Sequence, residues 1–595
     1  MGGPQNMKKI IAVLLSVLAV LPLFASCSGE DDKKKNGPTI PVYISGEVTN
    51  FDPAYGNLDQ TSQKIMSLLY EGLFKYDSNG KVVKAQAKSV KVLDNPSKKY
   101  YAIEITLKDT GWSDGIPVQA GDYIYAWKRI LESDFRGEAA NMLFCIKNAK
   151  KVHDGDATID DLGITDVSSK VIRIEFEGPT NYDLFYEYLA SPMLVPLREF
   201  LVGRLESDWS SNATFMVSNG PYAMRAYTAG ESMTLQANSY YHGSVSAFRL
   251  SITFSTTKKL DAAAVYKRFE AGEIVFDGEI PLKKRAELVK AKKVTVKDTM
   301  SMLSCIFNTN SEVVSDPDVR RALSLAVDRE KIVDTLTFAK PAKGLIADGV
   351  FNTTNGKGKA SFRSKGETLL NSKAKLSEAK ALLTGKELGE INLVVRDDEA
   401  DKAVGEYLKK TWEALGFTVV LHALGSVPYE GPNEIVLVDD QYLDAYEGKD
   451  EGEGETADPA VKYDAILVDY TMFSTDAFAN LASFAVPFAG GAMDMTTGLY
   501  ELEPHISGYS NPEYDALITK AYAEKNADKR AKLLHQAEKM LLEDMPIMPL
   551  VQLQSGFITN KDLVGVKTNY FGMPDFTSAK LNNADKYQVG QQQQK

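Results

Sequence analysis

Cysteine is nearly absent, with three in 595 residues: Cys27, Cys145 and Cys305. That excludes a scaffold stapled by disulfides. Histidine is almost as scarce, at five, and no two stand at the HExxH or similar spacing of a zinc site. No GxSxG elbow and no Walker A sequence occurs, so two common signatures of exported hydrolases and nucleotide enzymes are missing. Gly452-Glu453-Gly454-Glu455-Thr456-Ala457 fits the letters of a dinucleotide turn. Its acidic neighbours would repel a pyrophosphate, and no strand immediately precedes it. Paired carboxylates could serve glycoside hydrolysis, but among 80 acidic residues a pair carries no weight without geometry. Positive charge is in deficit, with 68 Lys and Arg and a formal charge of -12. This argues against a surface that coats nucleic acid. Beyond residue 25 no apolar run is long enough to span a bilayer.

What is present is an average globular composition, 44% hydrophobic and 25% charged. The length suits about four domain-sized units, or two large lobes. The first residues form a distinct segment. Lys8 and Lys9 precede an apolar stretch over 10–25, which suits the core of a signal peptide better than a stable membrane span. It ends in Leu23-Phe24-Ala25-Ser26-Cys27, which resembles the bacterial lipobox, with Cys27 as the lipidated first residue after cleavage. The alternative is an ordinary signal peptide with an incidental cysteine. Residues 28–38 are polar and nearly without apolar side chains, and read as a flexible tether. Residues 589–595 are a Gln-rich, frayed tail.

Between these ends the periodicity alternates. Residues 101–107 and 172–176 have period two and predict half-buried strands. Residues 121–131 carry Tyr123, Ala126, Trp127 and Ile130 at helical spacing. Asp316-Pro317 and Asn511-Pro512 predict capped helix starts, and 528–543 shows one apolar stripe that Pro546 ends. Such mixing predicts an α/β architecture. The acidic, Gly-rich run 447–455 reads as an exposed loop between strand-like segments 434–438 and 463–468. Cys145 and Cys305 lie in apolar contexts and read as buried, inert thiols.

Several blocks recur in a fixed order. Phe51-Asp52-Pro53-Ala54 is followed by Leu69-Tyr70-Glu71-Gly72-Leu73-Phe74. Trp112-Ser113-Asp114-Gly115 leads through Ala120-Gly121-Asp122 to Trp127. Asn219-Gly220-Pro221-Tyr222 comes before Asn238, Tyr240 and Tyr241. Val319-Arg320-Arg321-Ala322-Leu323 leads to Asp328-Arg329, and Tyr509-Ser510-Asn511-Pro512 leads to Pro546 and Pro549. Together, across about residues 40–580, they resemble the extracellular solute-binding proteins of the peptide/nickel family, which feed ABC importers. Each block also has a local reading: turns at Asp114-Gly115 and Asn219–Tyr222, and ion pairs on a helix surface for Arg320, Arg321 and Asp328.

The resemblance implies an α/β, two-lobed periplasmic-binding-protein-like fold of type II, with an extra subdomain in the first lobe. Its divisions would be a signal peptide 1–26, a lipidated tether 27–38, lobe I over 39–302 with the subdomain near 60–195, lobe II over 303–548, a return to lobe I over 549–588, and the tail. Chain crossings near 303–308 and 549–554 would act as hinges. The implied function is a substrate-binding lipoprotein, not an enzyme, that captures extracytoplasmic oligopeptides between its lobes and delivers them to an ABC importer. It would use no cofactor and no metal. Its partners would be the peptide, the permease subunits and the membrane through its lipid, with no nucleic acid, and it would act as a monomer. The alternatives are the same scaffold binding a sugar, a metal chelate or another small molecule, and an exported hydrolase.

By the same resemblance the ligand-facing residues are Glu47, Val48 and Asn50 of the first strand and turn, and Asp469, Tyr470, Phe473 and Asp476 of the second lobe. Ordinary core packing is the other reading for Val48, Tyr470 and Phe473. Many peptide binders place a Trp-x-x-Asp after a Tyr-Asp strand, and that Asp pairs with the ligand's α-ammonium. Here Tyr463-Asp464 opens the strand, Tyr470 falls where the Trp is expected and Phe473 where the Asp is expected. A phenyl ring offers an ammonium only about 0.5–2 kcal/mol, so Asp469 or Asp476 would have to serve, with Asp476 favoured. Capping or exposure is the other reading of Asp476. For the amino terminus the expectation is direct: Cys27→Ser should release the chain from membranes or leave it unprocessed. Membrane fractionation and precursor size check this, and a variant matured and retained like wild type would refute it.

Overall fold

The computed structural model describes residues 37–46, 48, 51–54, 60–132, 138–205, 209, 216–255, 260–352, 360–424, 463–493, 500–505 and 507–587. Cys27, Glu47, Asn50, residues 28–36 of the tether, the acidic run 447–455 and the segment 434–438 lie outside them. Among the described residues no helix is long and apolar enough to cross a membrane.

Two 13-residue strands, Thr295–Phe307 and Ile547–Thr559, pair antiparallel at the centre of an 11-stranded sheet. On one side Ile547–Thr559 continues to Phe276–Asp277, Thr39–Gly46, Arg249–Ser255, Ser232–Ala237 and Tyr222–Thr228. On the other, Thr295–Phe307 continues to Ala465–Thr471, Glu390–Arg396 and Thr418–Leu424. Ala465–Thr471 is buried at every position, because its sheet is covered on both faces; such a strand needs apolar residues throughout and not an alternation. A separate antiparallel sheet orders Ala87–Val92, Ala102–Leu107, Val171–Glu175 and Ile164–Ser168. It forms the core of the subdomain together with the helix Ala120–Leu131.

That helix shows how the most distinctive block folds. Asp114-Gly115 makes the tight reversal, with Gly115 at φ +90°, where a side chain would be strained. The Asp122 carboxylate then accepts from the Gln119 backbone N–H at 2.8 Å and from Trp112 Nε1 at 2.9 Å. One aspartate thus caps the helix and fixes the indole before it. Tyr123, Ala126, Trp127, Ile130 and Leu131 are buried on one face. Truncating Trp127 to Ala would cost about 3–5 kcal/mol. In the Asn219 turn, the side chain accepts from Glu71 N at 3.2 Å and donates to Glu71 O at 2.7 Å. A Cβ on Gly220 would stand 2.7 Å from the Leu69 carbonyl, which leaves room only for glycine.

The capped helices form as their signals predict. Asp316 caps Pro317–Ala326, Asn511 caps Pro512–Ala523, and Ala527–Asp544 ends on Met545 in the left-handed region before Pro546. The surface ion-pair reading fails for two of its three residues. Arg320 is buried and donates to the carbonyls of Val314, Ser315, Asp544 and Met545, where it gathers unpaired chain ends that no apolar side chain could satisfy. Asp328 caps Arg329–Leu336. Arg321 does pair with Asp318. Cys305 is buried as expected, whereas Cys145 is only half-buried; desolvation still pushes the Cys145 thiol up to about 12, and both are free thiols unsuited to nucleophilic chemistry.

His153 gives the fold a pH dependence. It is fully buried against the Phe144 ring, and neither ring nitrogen has a hydrogen-bond partner among the described residues. Desolvation, helped by the charge of Lys150, lowers its pKa to about 4. The folded state therefore holds it neutral while the unfolded state protonates near 6.5. Its contribution is complete above pH 6.5 and is lost as pH falls from there toward 4, by about 3 kcal/mol at most. Urea unfolding at pH 7 and pH 4.5 should show His153→Phe losing less stability than wild type over that interval. An equal loss in both would show that His153 does not titrate as described.

Candidate functional site

In a sheet of parallel strands, ligands bind in the crevice beyond the carboxyl ends. Both halves of the main sheet contain such strands. Thr39–Gly46 runs parallel to Arg249–Ser255 and to Phe276–Asp277, and Glu390–Arg396 runs parallel to Thr418–Leu424 and Ala465–Thr471. The segments after Phe276–Asp277 and Glu390–Arg396 meet each other. The Leu282 N–H of the first lobe donates to Glu399 Oε2 of the second at 3.2 Å.

Arg396, the last residue of its strand, organises the second-lobe wall. Its Nε donates to Asp401 Oδ2 at 2.8 Å, its Nη2 donates to Asp469 Oδ2 at 2.7 Å, and Asp398 lies 3.6 Å away. Desolvation, the largest effect, pulls the guanidinium down. The charges of Asp401, Asp469 and Asp398 together outweigh it and hold Arg396 well above the usual arginine range. Asp398 is pushed up, first by desolvation and then by repulsion from Asp401. On the first-lobe side Glu279 and Arg285 are half-buried, and Asp277 is fully buried, with its Oδ1 accepting the Glu279 N–H at 3.1 Å. Desolvation raises Asp277 to about 7.

The segment after Ala465–Thr471 packs against the subdomain. Asp476 is fully buried and accepts from Arg530 Nη1 at 2.9 Å and Nη2 at 2.8 Å, while the Tyr188 hydroxyl donates to it at 2.8 Å. Its backbone starts the helix Ala477–Ala482, but its side chain makes no cap. Thr475 donates to Glu187 Oε2 at 2.9 Å and lies 2.9 Å from the Tyr76 hydroxyl. The Tyr470 hydroxyl reaches Glu138 Oε2 at 2.9 Å. Phe473 is buried, and its N–H donates to Asn480 Oδ1 at 3.1 Å. Asn141, Lys150 and Tyr522 close the same seam through the carbonyls of Ala479, Pro487 and Phe144.

Among the residues that the sequence put forward, Tyr470, Phe473 and Asp476 come together near this seam, while Asp469 lies apart with Arg396, and each has a partner inside the protein. Val48 is buried on the first-lobe side, its carbonyl accepting from the Tyr227 hydroxyl at 3.1 Å. Glu47 and Asn50 lie outside the described residues. Sequence reading missed Arg396, Asp398 and Asp401. The available signal was a charged run, Arg396-Asp397-Asp398-Glu399, that directly follows an apolar strand.

Two sets of parallel strands joined through one antiparallel pair of long strands are the architecture of a two-lobed solute-binding protein. Residues 81–491 match the family described as bacterial extracellular solute-binding proteins, family 5 middle. The chain belongs to that family. It is 24% identical over 594 residues to the oligopeptide-binding protein OppA of Bacillus subtilis, covering 94% of this chain and 97% of that one. It is 25% identical over 572 residues to the dipeptide-binding protein DppE of the same organism, covering 94% and 95%. Among solved structures, Listeria monocytogenes OppA bound to peptide superposes with a TM-score of 0.73 at 20% identity, covering 92% of this chain and 99% of that chain.

The buried Asp476–Arg530 pair has a measurable weight. Removing one partner of such a pair strands the other charge and costs about 3–5 kcal/mol. Asp476→Asn should lower the unfolding free energy by about 3 kcal/mol, and Tyr188→Phe by about 1 kcal/mol, the value of one hydrogen bond. Denaturant melts check both, and an Asp476→Asn loss below about 0.5 kcal/mol would show that the pair is not structural.

Proposed function

We propose that this chain is a lipid-anchored receptor outside the cytoplasm that captures oligopeptides between its lobes and hands them to the permease subunits of an ABC importer, without turning them over. The observation that carries the reading is similarity over nearly the full chain to proteins named for oligopeptide and dipeptide binding. The physical reason is general. An extended peptide adds like a β-strand, and backbone pairing is indifferent to side-chain identity. The reading retains Glu47, Val48 and Asn50, with Asp469, Tyr470, Phe473 and Asp476, as the ligand-facing set. It takes 39–302 with 549–588 as one lobe and 303–548 as the other, and Cys27 as the anchor. With Asp476 held by Arg530 and Tyr188, it would bind a peptide's α-ammonium only by exchanging those partners.

A second reading is favoured by two relatives. A probable deoxycholate-binding periplasmic protein of Escherichia coli is 24% identical over 90% of this chain, and a binding protein in complex with agropinic acid superposes with a TM-score of 0.67. The same scaffold then holds a non-peptide solute. A thermal-shift screen separates the two. At 100 times Kd a ligand should stabilise the folded state by about 2.7 kcal/mol, and small-angle scattering should show contraction. Shifts with a mixed peptide library and none with bile acids, sugars or metal chelates support the peptide reading; the reverse overturns it, and release of hydrolysed product would overturn both. N-acetylation of a bound peptide, compared in wild type and Asp476→Asn, tests the ammonium contact. An equal loss in both proteins would exclude Asp476.

A further inference from the structure

We infer that Phe338 is the pivot of the hinge: a second-lobe ring seated in a first-lobe socket, about which the lobes turn and which restricts the angle between them. This rests on the two-lobed receptor reading, with 303–548 as the second lobe, and concerns how that receptor moves.

The ring owes its place to a strained turn. The helix Arg329–Leu336 ends on Thr337, whose backbone stands at φ +65° and ψ −45°. The Phe338 N–H donates to the Leu336 carbonyl at 2.7 Å, so these three residues close a γ-turn of the rare, strained hand. A β-branched residue at positive φ is a genuine outlier and persists only where its surroundings over-determine it. The surroundings do so on either side. Leu336 is buried in the main core, whereas Phe338 is buried in a separate small cluster with Tyr266, Ile280, Leu288 and Ile558. Two large apolar side chains, two residues apart, thus go to different cores, and the turn between them takes the strain.

Every other buried member of that small cluster lies in the first lobe or in the strand that returns to it. The first lobe also grips the turn directly. Arg285, on the helix Leu282–Lys290, donates from Nη1 to the Leu336 carbonyl at 2.9 Å and from Nε to the Ile280 carbonyl at 2.7 Å. Its guanidinium stands 5.2 Å from the centre of the Phe338 ring, within reach of a cation–π contact.

The socket falls where the central strand changes neighbours. Along one edge of Ile547–Thr559, the second-lobe strand Ala339–Pro341 pairs with 551–553 and the first-lobe strand Phe276–Asp277 pairs with 558–559. The Phe338 carbonyl accepts from the Gln554 N–H at 2.8 Å, which puts Phe338 at the start of the gap between these two partners. A Cβ on Gly556 would stand 2.3 Å from the ring, so the ring lies directly on the backbone inside that gap. On the opposite edge the ladder to Thr295–Phe307 breaks between Asp298 and Met302. A strand with a gap on one edge and an interruption close by on the other can bend there, and the ring is what it bends against.

Nitroxides on non-natural residues replacing Val564 and Leu376, exposed positions of the first and second lobe, test this. Double electron–electron resonance on the full chain, free of ligand, gives the distribution of distances between them. Phe338→Ala should broaden the wild-type distribution about 1.5-fold or more, because the ring that restricts rotation is gone. Val265→Ala, in another apolar cluster wholly inside the first lobe, should leave it unchanged. Gly556→Ala should shift its mean by about 1 Å or more, the overlap of the new Cβ with the ring, and adding Phe338→Ala should reverse that shift. Where circular dichroism shows Phe338→Ala unfolded, Phe338→Leu takes its place and should still broaden the distribution. A distribution that the Phe338 variant leaves unchanged overturns the pivot. So does one that Val265→Ala broadens equally, or a Gly556→Ala shift that persists in the double variant. None of these measurements needs a ligand, so a failed pivot leaves the peptide reading standing, and the thermal-shift screen decides that reading separately.

Discussion

The structure depends on one antiparallel pair. Thr295–Phe307 and Ile547–Thr559 are the strands from which both halves of the main sheet extend, so their hydrogen bonds set the geometry of everything else. Their ladder is interrupted between Asp298 and Met302 and shifts again between Leu303 and Ser304. Side chains bridge the gap: Thr299 donates to the Leu553 carbonyl at 2.8 Å, and Gln552 Nε2 donates to the Thr299 carbonyl at 2.7 Å. An irregular ladder bends and twists more readily than a regular one. The irregularity falls where one half of the sheet gives way to the other, the point at which bending changes the angle between lobes and leaves their interiors intact.

The contacts that hold the lobes together combine two kinds of interaction. The seam of Tyr76, Glu187, Tyr188, Glu138 and Asn141 against 470–479 carries hydrogen bonds to the carboxylates of Asp476, Glu138 and Glu187, each worth about 1.5–3 kcal/mol. Apolar packing runs through the same seam, with Phe144 against Phe488 at 5.9 Å, and the buried aliphatic and aromatic side chains of both sides form one cluster. Parting the lobes would have to break both kinds of contact, and a ligand touching both sides would shift that equilibrium only by its differential affinity for the two states.

Legibility followed range. Signals carried within a few residues were readable: the Asp316 and Asn511 caps, the apolar stripe over 528–543, and the reversal at Gly115. The Trp112–Asp122 contact sits inside one block and could be located, though not its bond. Arg320 could not be placed, because the carbonyls it gathers lie both beside it and more than 220 residues downstream. Asp476 shows the same limit. Its neighbours in sequence suggest a cap, and only the fold brings Arg530 and Tyr188 to it. The charged strand ends were the least legible feature. Asp277, Glu279 and Arg285 are separated from Arg396 and Asp398 by about a hundred residues, and in a chain with 80 carboxylates nothing local marks these few.

The electrostatics beside these strand ends belong chiefly to each lobe on its own. Asp398 is raised first by desolvation and then by the charge of Asp401, three residues along. Asp277 is raised first by desolvation and then by the charge of Glu279, two residues along. Leu282 and Glu399 do meet across the two groups, but through an exposed hydrogen bond of 3.2 Å, where water competes for both partners. Burial within each lobe, more than the approach of one lobe to the other, therefore sets the protonation of these carboxyl groups, and their titration would change little with the angle between the lobes.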